Sequence, residues 1–279
     1  MRYKATVDGE VTELDVPSVV DGRLLTEDER NVFAEKIAVE KWGTGGNWVI
    51  ELGGIQEMRT PAEIVAEGRF PTTDELRDFY DSIATPRKSD GWFGSTQHID
   101  KGLYRVAHAL EHIEPGMSVL EVGCADGGVS QHLVDAVGEK GFVTLIDISP
   151  VFVAKAEQFI SEKYPYSEDM VEYWVGNAAE FSTRRRYDVI VAMEILEHVP
   201  DPRKLLSNLY GLLRKSSGKI IISAPHEVHD GLGEHIHEFA PGDIMVIIGD
   251  ATGHHVPVEL NLNTMFAIVD KEKYVPYVA

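Results

Sequence analysis

Two short stretches concentrate the side chains able to move a proton or hold a metal ion. The first, "MEILEHV", presents Glu194, Glu197 and His198, and the second, "APHEVHDGLGEHIHEF", carries His226, His229, His235 and His237. Five of the 11 histidines therefore fall in two segments. An imidazole titrates near neutral pH, which makes His198, His226 and His235 candidates for a general base acting on a hydroxyl. The same groups also read as a cation site. The E-x-x-E-H spacing sets Glu194 and Glu197 three apart, with His198 adjacent, at the start of one helical turn, and a histidine of the later loop adds a fourth donor. Carboxylate and imidazole donors suit manganese, iron, cobalt or zinc better than magnesium. From the residues alone, base and metal site are both open.

A second kind of chemistry is written in "VLEVGCADGGVS", residues 119–130. A strand ending near Glu121, then Gly123, Gly127 and Gly128, then a helix, makes a tight turn that lets backbone approach a ligand. In a dinucleotide fold the order would be G-x-G-x-x-G, with a pyrophosphate at the helix terminus. Here Ala125 stands at the middle glycine, and Glu121 and Asp126 are poor company for a pyrophosphate. The turn suits an adenosine-bearing ligand that lacks phosphate and is itself cationic. The next strand, "VTLIDIS", ends in Asp147. Such an acid either caps the helix that begins at Ser149–Pro150 or accepts the two ribose hydroxyls of a nucleoside, and the glycine turn before it favours the ribose. Further on, "VGNAAEF" offers Asn177 and the Ala178 amide to an adenine edge, although an isolated Asn is usually a turn former. Ile148 and Met193 complete the expected cofactor-binding set. Cys124 is the only cysteine, so no intrachain disulfide or cysteine cluster exists, and its place in the turn marks it as a small packing residue.

The elements that must position these groups begin near residue 100. The helix "DKGLYRVAHALEHI" leads into alternating apolar strands and helices. "SVLEVG", "GFVTLIDI", "VEYWVG", "YDVIVAM" and "GKIIISAP" read as strands, separated by helices over "VSQHLVDAVG", "SPVFVAKAEQFISEKY" and "DPRKLLSNLYGLLR". A helix over "PGDIMVIIGDAT" and two strands, "HHVPVEL" and "NTMFAIVDK", close the chain as an antiparallel hairpin. Near-continuous apolar strands separated by helices predict a mostly parallel sheet covered on both faces. Residues 96–279 are therefore expected to form one α/β domain, preceded by a mainly helical extension, 1–95, that caps the acceptor or makes an oligomer contact. Within the extension, "VDGEV" predicts a hairpin at Asp8–Gly9, and helices are expected from Thr26 to about Trp42, over "TPAEIVAE" and over "TTDELRDFYDSI". "GTGGNWVIELGG" is glycine-rich but lacks the lysine of a phosphate loop. Trp92, Phe93 and His98, just before the first core helix, are candidates to close the cofactor pocket.

With these motifs in order, residues from about 95 to 270 resemble a class I S-adenosylmethionine-dependent methyltransferase of the quinone and glycan O-methyltransferase-like subgroup. "LEVGCADG" corresponds to that family's glycine motif, Asp147 to its ribose acid and "GNAAEF" to its adenine loop. "AMEILEHVPDP" and "HIHEFAPGDI" resemble further segments of the subgroup. Ala125 and Asn177 depart from the commonest pattern. The resemblance implies a Rossmann-like seven-stranded sheet with the last strand antiparallel, S-adenosyl-L-methionine as cofactor and in-line methyl transfer. Histidines beside carboxylates favour a hydroxyl on a polar small molecule or sugar-containing metabolite as acceptor. The E-x-x-E-H segment with His235 also resembles the metal ligands of small-RNA 2′-O-methyltransferases, which gives a metal-dependent enzyme acting on an RNA ribose as the alternative. A catalytically silent partner protein of the same fold is the alternative of another class. It should lose the ribose acid or crowd the glycine turn, and neither has happened.

Charge narrows the partners. The 46 acidic residues against 26 Lys and Arg give a net charge of −20, a field that disfavours nucleic acid and anionic membranes. "RRR" at Arg184–Arg186 is the one dense basic run and reads as a solvated turn. No signal-like apolar run opens the chain and no long apolar stretch follows, so a cytoplasmic enzyme is expected, with room for a homo-oligomer.

Overall fold

The computed structural model describes residues 2–7, 10–15, 19–20, 23–24, 36–37, 48–51, 59–84, 96–165, 167–226 and 233–276. The amino-terminal strands β1 (Arg2–Val7), β2 (Glu10–Asp15) and β5 (Trp48–Glu51) form an antiparallel sheet in the order β2-β1-β5, and β3 (Val19–Val20) pairs with β4 (Arg23–Leu24). Val7 faces Glu10, as the expected hairpin requires, while its turn at Asp8–Gly9 lies outside the described residues. The glycine-rich segment rejected as a phosphate loop ends in strand β5, which lies antiparallel to β1. Among its described residues the extension thus carries strands as well as helices. Apart from Lys36 and Ile37, the helix expected from Thr26 lies outside the described residues, as do Trp92, Phe93 and His229.

Two helices follow as expected. Helix α1 (Pro61–Ala66) opens on a capping box in which the Thr60 hydroxyl accepts from the Glu63 amide and the Glu63 carboxylate accepts from the Thr60 amide. Helix α2 (Thr73–Ala84) buries Leu76, Phe79, Ile83 and Ala84. Helix α3 (Thr96–Leu110) starts a turn earlier than "DKGLYRV" suggests.

The main sheet runs β11-β12-β10-β9-β6-β7-β8, comprising β6 (Ser118–Val122), β7 (Phe142–Asp147), β8 (Val171–Val175), β9 (Val189–Met193), β10 (Lys219–Pro225), β11 (Glu259–Asn261) and β12 (Thr264–Asp270). Strands β6 to β10 pair in parallel, whereas β12 runs antiparallel to both β10 and β11. Strand alternation divides the core. Leu120, Val122, Ile190, Ile220 and Ile222 join Leu205, Leu206 and Leu209 of α6 (Pro202–Leu212) and Ile244, Ile247 and Ile248 of α7 (Pro241–Thr252) on one face. Val119, Val143, Leu145, Val191 and Ile221 meet Leu133 and Val134 of α4 (Ser130–Val137) and Val153, Ala156 and Ile160 of α5 (Pro150–Lys163) on the other. Burial on both faces explains why these strands read as unbroken apolar runs. The carboxyl ends of β6, β7, β9 and β10 share one edge of the sheet, where the glycine turn and the histidine-bearing loops lie. No helix among the described residues is long and apolar enough to cross a membrane.

Candidate active site at the carboxyl ends of the strands

The glycine turn leaves β6 with φ of 79° at Gly123, 45° at Ala125 and 87° at Gly127. Gly123 and Cys124 both donate to the Ile146 carbonyl, at 2.8 and 3.1 Å, which ties the turn to β7. At Gly127 a Cβ would lie 3.2 Å from Ala156 Cα, so glycine there permits the close approach of α5. Ala125 accepts a left-handed backbone without being glycine, and its amide donates to Asp147 Oδ2 at 3.0 Å. The other Asp147 oxygen accepts from the Ser149 amide at 2.9 Å. Ser149 also caps α5, accepting from the Phe152 amide at 3.1 Å. The helix cap thus belongs to Ser149, while Asp147 ties the glycine turn to the loop at the end of β7.

Three acids converge on this turn. Glu121, Asp126 and Asp147 are buried, and Ser130 Oγ donates to Glu121 Oε2 at 2.6 Å. Burial pushes Glu121 up to about 8, against the Ser130 hydrogen bond, with Asp147 and Asp126 adding repulsion. Burial also lifts Asp147 to about 6, opposed by the backbone amides of Ser149, Ala125 and Ile148. Cys124 is buried and its thiol is pushed well up, first by burial and then by Asp147 and Glu121, so it packs as expected. At Gly123 a Cβ would lie 3.1 Å from Ile195 Cδ1, so this glycine too admits a close neighbour.

Asn177 takes a different part from the expected one. Its Oδ1 accepts from the Ala179 amide at 3.0 Å and its Nδ2 donates to Thr73 Oγ1 at 3.3 Å, so its side chain is engaged by its own turn and by α2. The Ala178 carbonyl accepts from Asn208 at 2.9 Å. Ile148 follows Asp147 and Met193 ends β9.

The histidine loops meet only in part. His198 lies in a 3-10 turn, Leu196–His198, and its ring sits 4.8 Å from that of His235. Its Nδ1 is 3.2 Å from the Glu234 carbonyl oxygen, so Nδ1–H donates there. Its Nε2 is 3.6 Å from Glu197 Oε1. The Glu197 carbonyl accepts from the Ile236 and His237 amides at 2.9 and 3.2 Å, and His237 Nε2 bonds the Val199 carbonyl at 3.0 Å. The later loop is therefore pinned onto the earlier one. Glu197 is 0% exposed, and neither of its carboxylate oxygens has a hydrogen-bond partner. Burial, then the neighbouring Glu194, push its pKa well above the usual range.

Glu197, His198 and His235 bring donor atoms within 4.8 Å of one another. Glu194 does not join them, contrary to the four-residue set expected. Held at φ 51°, it pairs with Arg105 of α3 at 2.9 Å and accepts from Ser223 Oγ at 2.8 Å. His226 also stands apart from the pair: its amide donates to the Asn263 carbonyl at 2.9 Å, beside the β11–β12 turn. Sequence reasoning missed Arg105, and it missed Tyr80 and Asp81 of α2, which reach the site from the extension. Tyr80 meets the His198 ring edge-on at 6.0 Å, and Asp81 accepts from the Ser149 hydroxyl. Helical periodicity reveals which face of α2 is apolar but not which distant loop its polar groups reach.

Residues 120–219 match the profile of a family described as a methyltransferase domain. This part of the chain is a methyltransferase domain. The domain is similar to a ubiquinone biosynthesis O-methyltransferase of Xanthomonas axonopodis pv. citri (strain 306), 32% identical over 122 residues, covering 43% of this chain and 48% of that protein. It is also similar to phosphoethanolamine N-methyltransferase 2 of Caenorhabditis elegans, 27% identical over 164 residues, covering 55% of this chain and 36% of that one. The chain thus spans less than half the length of these two relatives. In fold, the methyltransferase domain is like the magnesium protoporphyrin IX methyltransferase of Synechocystis PCC 6803, solved with bound S-adenosylhomocysteine. The TM-score is 0.56 at 19% identity, covering 71% of this chain and 99% of that one.

Proposed function

We propose that the protein methylates a hydroxyl of a polar small molecule or sugar-containing metabolite, with His198 as general base and His235 supporting it. The observation that carries this reading is the orientation of His198: its Nδ1–H donates to the Glu234 carbonyl, and its ring lies 4.8 Å from that of His235 at the edge of the sheet that holds the glycine turn. The residues fit the cofactor. Asp147 accepts the ribose hydroxyls, the backbone at Gly123 and Ala125 lets the ligand approach, and the Asp126 carboxylate favours a cation. The loop at Asn177 and Ala178 offers its amides to adenine, and Ile148 and Met193 flank it. Bound there, S-adenosylmethionine supplies a methyl group activated on a sulfonium. An acceptor hydroxyl placed in line with that methyl group would give its proton to His198 Nε2 as its oxygen took the methyl. The amino-terminal region, through α2, caps the acceptor side.

Calorimetric titration of S-adenosylhomocysteine into the full chain tests the cofactor, and methyl transfer to a panel of sugar and polyketide hydroxyls tests the acceptor. His198→Asn should keep cofactor-product affinity and lower kcat by about 10²–10⁴-fold. Unchanged turnover would remove His198 as base.

A second reading is favoured by one specific observation, the enclosed Glu197 carboxylate without a hydrogen-bond partner beside two imidazoles. Leaving such a group unpaired is costly, and a divalent ion held by Glu197, His198 and His235 would relieve that cost. Oxygen and nitrogen donors suit manganese, iron, cobalt or zinc, and acceptors would then be vicinal diols, catechols or ribose ends. Titration of manganese or zinc into metal-stripped protein decides it: binding abolished by Glu197→Gln or His235→Ala establishes the ion, and no binding leaves the histidine base.

A further inference from the structure

Helix α2 lies outside the segment that matches the methyltransferase family, yet it touches both halves of the site. On the cofactor side, Asp81 accepts from the hydroxyl of Ser149, whose amide is held by Asp147. The helix is pinned at both ends: Asn177 donates to Thr73 at its start, and Lys155 donates to the Ala84 carbonyl at its finish. Between them, Phe79, Ile83 and Ala84 pack with Phe152, and Ala125 of the glycine turn lies against this cluster. On the acceptor side, the Tyr80 ring meets His198, which in turn meets His235. Tyr80 and Asp81 are consecutive, and on a helix with 3.6 residues per turn they point about 100° apart. A rigid helix cannot shift one contact without shifting the other.

We propose that Tyr80 and Asp81 are positioning residues through which α2 transmits occupancy of the ribose end of the cofactor turn to the ring of His198. Contiguous contacts carry the effect from Asp147 through Ser149 and Asp81 along one helical step to Tyr80. Coupling of this kind is reciprocal, so an acceptor seated against His198 strengthens cofactor binding by the same factor. The proposal rests on the cofactor site assigned above. It adds a role for the extension beyond covering the site, because it makes the order of the acceptor histidines depend on the cofactor.

The test uses the full-length protein labelled with 15N-histidine, with the His198 ring signals assigned by His198→Asn. S-adenosylhomocysteine is added while calorimetry gives its affinity. The parent is expected to show displaced His198 signals on binding. Asp81→Asn and Tyr80→Ala should still bind the compound, with that displacement lost, and Tyr80→Phe should restore it. His254, held by the Tyr210 hydroxyl at 2.9 Å, reports that the fold is intact. If Tyr80→Ala unfolds, Tyr80→Leu keeps the bulk without the ring and carries the same test. A displacement as large in the variants as in the parent, or none in the parent, overturns the coupling alone. Loss of binding in Asp81→Asn overturns it as well, by making Asp81 a ligand group. Failure of the parent to bind the compound overturns both the coupling and the cofactor site.

Discussion

Glu121 is enclosed beneath the glycine turn and holds its proton to about pH 8, whereas an unfolded glutamate releases it near 4.3. The folded state therefore binds the extra proton, and the stability this contributes is complete below the unfolded value and lost as pH rises through the folded one. Asp147, lifted to about 6, acts in the same direction. Thermal melts between pH 5 and 9 should show the parent weakening toward alkaline pH and Glu121→Gln weakening less; parallel profiles would show that Glu121 ionises normally. Asp147 also bears on affinity. Hydrogen bonds to a charged group contribute about 1.5–3 kcal/mol, so Asp147→Asn should weaken S-adenosylhomocysteine by roughly 10–100-fold in calorimetry. The functional residues were legible to different degrees for a physical reason. Glu121 and the glycines belong to one strand–turn–helix unit, and Asp147 ends the strand that follows and pairs with it, so their geometry is local. Glu194 had the right spacing but the wrong partner, because Arg105 reaches it from a helix almost a hundred residues earlier.

The elements divide in the same way. Strands β6, β7, β9 and β10 are buried on both faces, and their continuous apolar runs mark them in sequence. Strand β11 is short and exposed along its whole length, so no buried face specifies where it starts, and it occupies only the end of the segment expected to be strand. Strand β5 was recognisable from its Trp-Val-Ile run of good strand formers, had the glycines before it not drawn attention. Close packing of α5 on the glycine turn is tested by Gly127→Ala. The new Cβ meets Ala156 Cα in a left-handed backbone, and a loss of about 1–3 kcal/mol is expected from thermal or urea unfolding. Gly68, at φ 90° with nothing within 4 Å of a Cβ, gives the comparison: Gly68→Ala meets only the backbone penalty and should cost less.

At the scale of the whole molecule, a net charge of −20 works against the compact state. Added salt screens that repulsion over about 10 Å at 0.1 M, so the melting temperature should rise between 20 and 500 mM sodium chloride. A fall would mean that attractive surface pairs such as Arg203–Asp250 and Lys204–Glu180 outweigh the repulsion. The lone thiol turns the glycine turn into a clock. Cys124 is sealed under that turn, its pKa raised, and the chain has no other cysteine, so an alkylating reagent can mark a molecule only while the turn is open. Mass spectrometry of a single added label would then count openings of the cofactor floor one molecule at a time, and ligand occupancy should be readable as the slowing of that count.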